Sequence, residues 1–175
     1  MSRIEREGWR IAAAAVIAGA SLIALPSQSR ATGADCSAPM AAATLQSKTP
    51  FHATYVVTPT TPDAFPTEHH EEIWVGNTMY TLLKDKRWMH VPVKSNPMEG
   101  FTGPIDGFSQ CQSLPAASIR GETAAGYSVK MESGRNAKIW ISPKSGLPVR
   151  DVIDQDILLA TLDFDYANVR APAAH

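Results

Sequence analysis

From residue 51 onward, apolar and polar side chains alternate with a period of two, the mark of strands. Phe51, Ala53, Tyr55 and Val57 alternate with His52, Thr54 and Val56. Residues 58–63, Thr-Pro-Thr-Thr-Pro-Asp, read as an exposed loop, because proline cannot donate to a sheet ladder. Extended runs at 68–75 and 78–83 flank Gly76-Asn77, which predicts a hairpin with a two-residue turn. Lys84-Asp85-Lys86 then turns the chain into a fourth strand over 87–93. Further strands are expected at 118–123, 127–132, 137–142, 147–153 and 157–169. Ahead of them all, residues 36–48 predict a short helix. Alanines favour it, Pro39 sits in its first turn, Pro50 stops it, and Met40 and Leu45 are its expected buried groups. A second short helix is expected at 105–113, inside the polar, turn-rich stretch 94–117. This train of hairpins lacks β-α-β alternation. It predicts one mainly β (α+β) domain: a curved antiparallel meander sheet, an incomplete barrel whose hollow face is covered by helices.

The hairpin turns fix which side chains share a face. With Gly76-Asn77 as the loop, Ile73 stands opposite Tyr80 and Trp74 opposite Met79; with Lys84-Asp85-Lys86 as the next, Leu82 meets Trp88 and Tyr80 meets His90. One face then carries Ile73, Val75, Tyr80, Leu82, Trp88 and His90. The other carries Trp74, Met79, Leu83, Met89 and Val91. An ordinary antiparallel sheet wets one face. A sheet apolar on both needs cover on both, from its own helices and loops, from a second sheet, or from a ligand. Trp74, Met79, Leu83, Met89, Val91 and Trp140 are the residues expected to line a hydrophobic hollow, and a one-residue slip would substitute Tyr80, Leu82 and Trp88.

The N-terminus changes the picture from fold to compartment. Arg3, Arg6 and Arg10 precede an uncharged run from Ile11 to Leu25, and Ser29-Arg30-Ala31 follows Pro26. A basic head, an apolar middle shorter than the roughly 20 residues that span a bilayer, and a small-x-small exit make a secretory signal peptide over residues 1–31, cleaved after Ala31. Residues 32–175 are then one periplasmic or secreted domain with no transmembrane anchor after cleavage. The chain of 175 residues holds 16 basic and 17 acidic side chains. Without the leader the balance is more acidic still, which points away from nucleic acid. The two cysteines, Cys36 and Cys111, most simply pair in an oxidising compartment. Lipidation of Cys36 and a free thiol are the rivals, though Asp35 fits a lipidation signal poorly.

Candidate chemistry is sparse. His69-His70-Glu71-Glu72 lacks the His-Glu-x-x-His spacing of a helical zinc site, and on a strand it sends His69 and Glu71 one way and His70 and Glu72 the other. A solvated, charged strand edge is the plainer reading, so neither metal nor other cofactor is expected. The Gly-x-Ser-x-Gly nucleophile elbow is absent. Asp163 and Asp165 read as water-facing partners of an inward Leu162 and Phe164, and no catalytic residue is assigned.

The run Lys138-Ile139-Trp140-Ile141-Ser142-Pro143-Lys144-Ser145-Gly146-Leu147-Pro148-Val149-Arg150 is a strand, a Pro-x-x-Gly turn and a return strand. With the ending Tyr166-Ala167-Asn168-Val169-Arg170-Ala171-Pro172, it resembles the C-terminal half of bacterial periplasmic proteins of the lipoprotein-carrier (LolA/LolB-like) superfamily. The order of leader, short helix, meander, helical cover and meander resembles them too. The resemblance implies a strongly curved, incomplete antiparallel barrel whose apolar hollow takes acyl chains. The function expected is a non-enzymatic periplasmic protein that binds a lipid or other hydrophobic molecule in that hollow. The alternatives are a cell-envelope interaction or scaffold protein whose hollow its own side chains fill and, third, an extracytoplasmic enzyme. Partners would be the hydrophobic ligand or another envelope protein.

Overall fold

One antiparallel sheet of nine strands runs through the described residues. A computed structural model describes residues 35–61, 64–93 and 108–173, all of which belong to one compact unit. The leader and its cleavage point at Ala31 lie outside the described residues. Helix α1 (Ser37–Gln46) is followed by β1 (Phe51–Pro59), β2 (Glu68–Val75), β3 (Thr78–Leu82), β4 (Trp88–Pro92), β5 (Ser109–Ile119), β6 (Glu122–Lys130), β7 (Asn136–Ile141), β8 (Pro148–Asp154) and β9 (Leu158–Asp165). The spatial order is β4-β3-β2-β1-β9-β8-β7-β6-β5, every neighbouring pair antiparallel. The first and last strands thus pair at the centre, and β4 and β5 form the two edges of a sheet that does not close.

Turn chemistry sets the registers. Gly76 takes φ 58° while Asn77 stays on the ordinary side, the pattern of a II′ turn, and Ile73↔Tyr80 and Trp74↔Met79 follow from it. Leu82↔Trp88 and Tyr80↔His90 hold as expected across the next turn. Arg120 and Gly121 both have positive φ, which builds the tight β5–β6 hairpin. That hairpin corrects two sequence expectations. Residues 118–123 are not one strand but the turn between two. The helix expected at 105–113 lies outside the described residues at 105–107, and from Ser109 onward the chain is strand β5. The loop expected at 58–63 begins later: Thr58 and Pro59 still pair with Leu159 and Leu158. The last strand stops at Asp165, short of residue 169.

The inner face is read rung by rung. Tyr127, Ile139, Asp151, Leu162, Tyr55 and His70 stand side by side on six successive strands. Phe164, Ala53, Glu72, Thr81 and Met89 form the next rung. Phe51, Trp74, Met79 and Val91 form another. Phe51 is 1% exposed and anchors the centre. Its ring meets Phe164 edge-on at 5.6 Å and lies 5.9 Å from Trp74. Aromatic pairs at these separations add roughly 0.5–1.5 kcal/mol to what their burial contributes.

Helix α1 packs over the β7–β8 side of this face. It buries Pro39, Ala42, Ala43 and Gln46, whereas Met40 is half-buried and Leu45 is exposed. The expectation that Leu45 is buried is therefore corrected, whereas Met40 is partly buried and packs against the core; proline and alanines let the helix approach the sheet closely. Two tethers hold it. Cys36, its N-cap, is bridged to Cys111 on β5 with the Cα atoms 5.2 Å apart, inside the range a disulfide spans. At its other end the Gln46 amide donates to the Tyr166 hydroxyl at 3.0 Å, and that hydroxyl donates to the Pro148 carbonyl at 2.7 Å.

Candidate functional site, the β3–β4 wing of the inner face

The residues expected to line a hollow divide into three groups. Trp74, Met79 and Val91 share one rung, and Met89 lies on the next, opposite Thr81. Leu83 follows β3 directly, and strand alternation puts it on the same side as Met79. Along this wing exposure rises from the core outward: Trp74 is 5% exposed and stacked on Phe51, Met79 and Val91 are half-buried, and Met89 on the edge strand is 46% exposed. The third group is Trp140 alone. It stands opposite Gly126 and Arg150, and Arg150 opposite Asp163, so it lies on the outer face. Alternation in β7 already says so, because Ala137, Ile139 and Ile141 go inward while Lys138 and Trp140 go outward.

Trp140 has its own structural task. A Cβ built on Gly126 would lie 3.0 Å from Trp140 Nε1, from Leu114 Cβ and from the Pro115 carbonyl oxygen. The indole thus covers a glycine gap and reaches the irregular stretch of β5. The Pro115 carbonyl is backbone and cannot yield cheaply. Gly126→Ala should destabilise the fold by about 1–3 kcal/mol, read as a lowered denaturant midpoint with an unchanged slope.

Two clefts flank the β3–β4 wing. One, of about 560 Å³, is lined by Tyr80, Leu83, Arg87, Trp88, Met89, His90, Pro172 and Ala173. The other, of about 680 Å³, is more polar and includes Thr54, His69, Glu71, Leu83, Lys84 and Lys86. Leu83 belongs to both. The first cleft contains Leu83 and Met89 from the expected set together with Tyr80 and Trp88 from its register-slipped alternative. Both sets contribute because the cleft lies at the edge of the sheet, where the two faces meet. The C-terminal tail comes back to this wing through Pro172 and Ala173, which alternation and turn signals do not encode.

The acidic and histidine run on β2 is not at an edge, since β2 lies between β1 and β3. Its two-sided alternation holds as expected. Outward, His52 Nε2 and Glu71 Oε1 are 2.9 Å apart. Inward, the His70 ring stacks on Tyr55 at 4.6 Å and His70 Nε2 lies 3.3 Å from Glu68 Oε2. Glu72 is buried at 7% exposure and accepts a hydrogen bond from the Tyr55 hydroxyl at 3.2 Å. Burial raises the Glu72 carboxyl, and hydrogen bonds from Tyr55 and Trp74 pull it partly back. Burial likewise raises the Tyr55 phenol, with the Glu72 charge adding to it. Among the described residues, no group of three or more His, Cys, Asp or Glu side chains is placed to hold a metal ion.

A second buried carboxyl was hidden from the sequence. Asp151 sits between Ile139 and Leu162 on the central rung at 2% exposure, and its Oδ1 has no hydrogen-bond partner among the described residues. Desolvation pushes it up to about 8, which favours the protonated, neutral form at pH 7. Neither Glu72 nor Asp151 lines either cleft. On the outer face Arg150 and Asp163 form a two-bond pair at 2.6 and 2.8 Å, which explains Asp163 without catalysis.

No family model and no curated protein matches this sequence. Among solved structures, the chain is similar to the lipoprotein LppX of Mycobacterium tuberculosis, with 13% identity over 77% of this chain and 97% of that one and a TM-score of 0.49. It is similar to LprF of Mycobacterium bovis, with 15% identity over 77% and 94% and a TM-score of 0.45. A LolA superfamily protein of Nitrosomonas europaea aligns at 8% identity over 71% and 88%, with a TM-score of 0.25. In this sheet the centre of the inner face is filled by Phe51, Ile153, Leu162, Phe164 and α1, and the two clefts described above lie at the β3–β4 wing.

Proposed function

We propose that this chain is a non-enzymatic, periplasmic or secreted protein that binds a lipid or another hydrophobic molecule at the β3–β4 wing. Residues 1–31 act as its leader. The observation that carries the reading is the cleft of about 560 Å³ walled by Tyr80, Leu83, Trp88, Met89 and Pro172. It exceeds the roughly 300 Å³ at which small-molecule sites begin, and its walls are mostly aromatic and aliphatic. Met79 and Val91 extend the apolar surface inward to Trp74, which serves as its packed base. The Cys36–Cys111 bridge suits an oxidising compartment, and among the described residues no helix is long and apolar enough to cross a membrane.

A fatty acid brominated along its chain should quench Trp88 when it binds, because quenching needs near contact. Met89→Asp places a charge in the cleft at an exposed position that the fold tolerates. It should weaken binding at least tenfold, the loss expected when a charge must be desolvated against an acyl chain. Undiminished binding by Met89→Asp, or quenching that survives Trp88→Phe in full, would remove the ligand from this cleft. The self-filled centre of the inner face favours a second reading, an envelope interaction protein. That reading takes over when the wild-type chain binds no acyl probe.

A further inference from the structure

The two clefts that share Leu83 are separated by four consecutive residues, Lys84, Asp85, Lys86 and Arg87. Lys84 and Lys86 line the polar cleft and Arg87 lines the apolar one. The turn is fixed by its backbone: the Lys86 amide donates to the Leu83 carbonyl at 2.9 Å and the Leu83 amide to the Arg87 carbonyl at 2.8 Å. One cation, Arg87, therefore lines the apolar cleft, and two more, Lys84 and Lys86, stand in the same turn on the side of the polar cleft, against one carboxylate, Asp85. Asp85 is engaged with Arg87, whose Nε donates to Oδ2 at 2.8 Å. Lys84 and Lys86 have no ion-pair partner among the described residues. The polar cleft also carries Glu71, 2.9 Å from His52, and Glu68, 3.3 Å from His70.

We propose that the ligand is an anionic single-chain amphiphile. Its chain lies in the cleft of Tyr80, Leu83, Trp88 and Met89, and its carboxylate or phosphate head sits among Lys84, Lys86 and Arg87. The inference rests on the hydrophobic-ligand reading above and adds the chemistry of the head. Long basic side chains lay their methylenes along apolar surface while their charges stay in water, which is the arrangement a chain-and-head ligand needs. Trp88 marks the boundary, with an apolar body and one polar N–H. A cationic head would meet like charges here, and a neutral one would leave Lys84 and Lys86 unused.

The test compares laurate, dodecyl phosphate and the uncharged monolaurin, each below its micelle concentration, by isothermal titration against the full chain. At low salt the two anions should bind about tenfold more tightly than monolaurin, the sum expected of three exposed charge contacts. The advantage should shrink as salt screens it. Replacing Lys84, Lys86 and Arg87 together by Gln should abolish the preference, bringing the anions to the monolaurin affinity measured on the same variant. Asp85→Asn should tighten laurate severalfold by freeing Arg87. Equal affinity for laurate and monolaurin overturns the anionic head and leaves the hydrophobic-ligand reading standing. So does a preference that survives the triple variant. Displacement of dodecyl phosphate by equimolar inorganic phosphate would show a site for a free anion and would also overturn the proposal. Binding of none of the three overturns both readings together.

Discussion

Removing the Cys36–Cys111 bridge, as the double variant Cys36→Ser/Cys111→Ser, should cost about 4 kcal/mol of stability. The two cysteines are 75 residues apart. Closing a loop of that length in the unfolded chain removes entropy worth roughly that amount in the chain-entropy model. The melting temperature should fall by about 8–16 °C, at roughly 2–4 °C per kcal/mol for a domain of this size. The physical reason is specific to α1. A ten-residue helix is too short to persist alone, and this one contributes mainly proline and alanine side chains to the core. Without the bridge, one hydrogen bond from Gln46 to Tyr166 and small-residue packing remain to seat it. Circular dichroism of the variant should lose helical signal before the sheet melts. A fall of less than about 3 °C, with α1 intact, would mean that packing alone holds the helix.

The second large effect is a stability that declines as pH rises, with Asp151 as its source. Its carboxyl titrates at about 8 in the folded chain and near the ordinary carboxylate value when unfolded. Between those two values the folded state holds a proton that the unfolded state has released. The Asp151 contribution to stability is therefore full below about pH 4 and is lost as pH rises toward 8, by at most about 1.4 kcal/mol per pH unit. Glu72, raised by its own burial, acts in the same direction. Asp151→Asn keeps the shape and a hydrogen-bonding amide but has nothing to titrate. Its stability should vary much less between pH 4 and 8, and it should exceed the wild type at pH 8. Chemical denaturation of both chains across that range measures this directly. Parallel curves would show that Asp151 is already ionised in the folded state and that another group carries the pH dependence.

Much of the sheet was legible because its turns are explicit. Gly76-Asn77 and Lys84-Asp85-Lys86 fix the pairing of β2, β3 and β4, and the expected partners Ile73↔Tyr80, Trp74↔Met79 and Leu82↔Trp88 are the ones observed. The disulfide was legible from compartment and count. Strand β5 was not, because Ser-Gln-Cys-Gln-Ser-Leu-Pro-Ala-Ala-Ser-Ile has little alternation, few β-branched residues and an internal proline. Its membership in the sheet comes from the Arg120-Gly121 hairpin and the partner strand β6, which are tertiary facts. Trp140 was misplaced because its size suggested a cavity wall, although Lys138 two residues earlier marks the wet face. Glu72 and Asp151 were unreadable for the opposite reason. Carboxylates follow the polar pattern in sequence, and only the neighbouring strands put Ile139, Leu162 and Tyr55 around them. The candidate cleft depends on the C-terminal Pro172 returning to β3 and β4, a contact that no local pattern encodes.

The measurement that bears most directly on the account is native mass spectrometry, with lipid extraction, of the protein isolated from the cells that make it. The account predicts one amphiphilic molecule bound per chain, released by Met89→Asp and retained by Trp140→Phe, whose residue lies on the outer face. A bare chain, together with no quenching of Trp88 by brominated fatty acid, would contradict it.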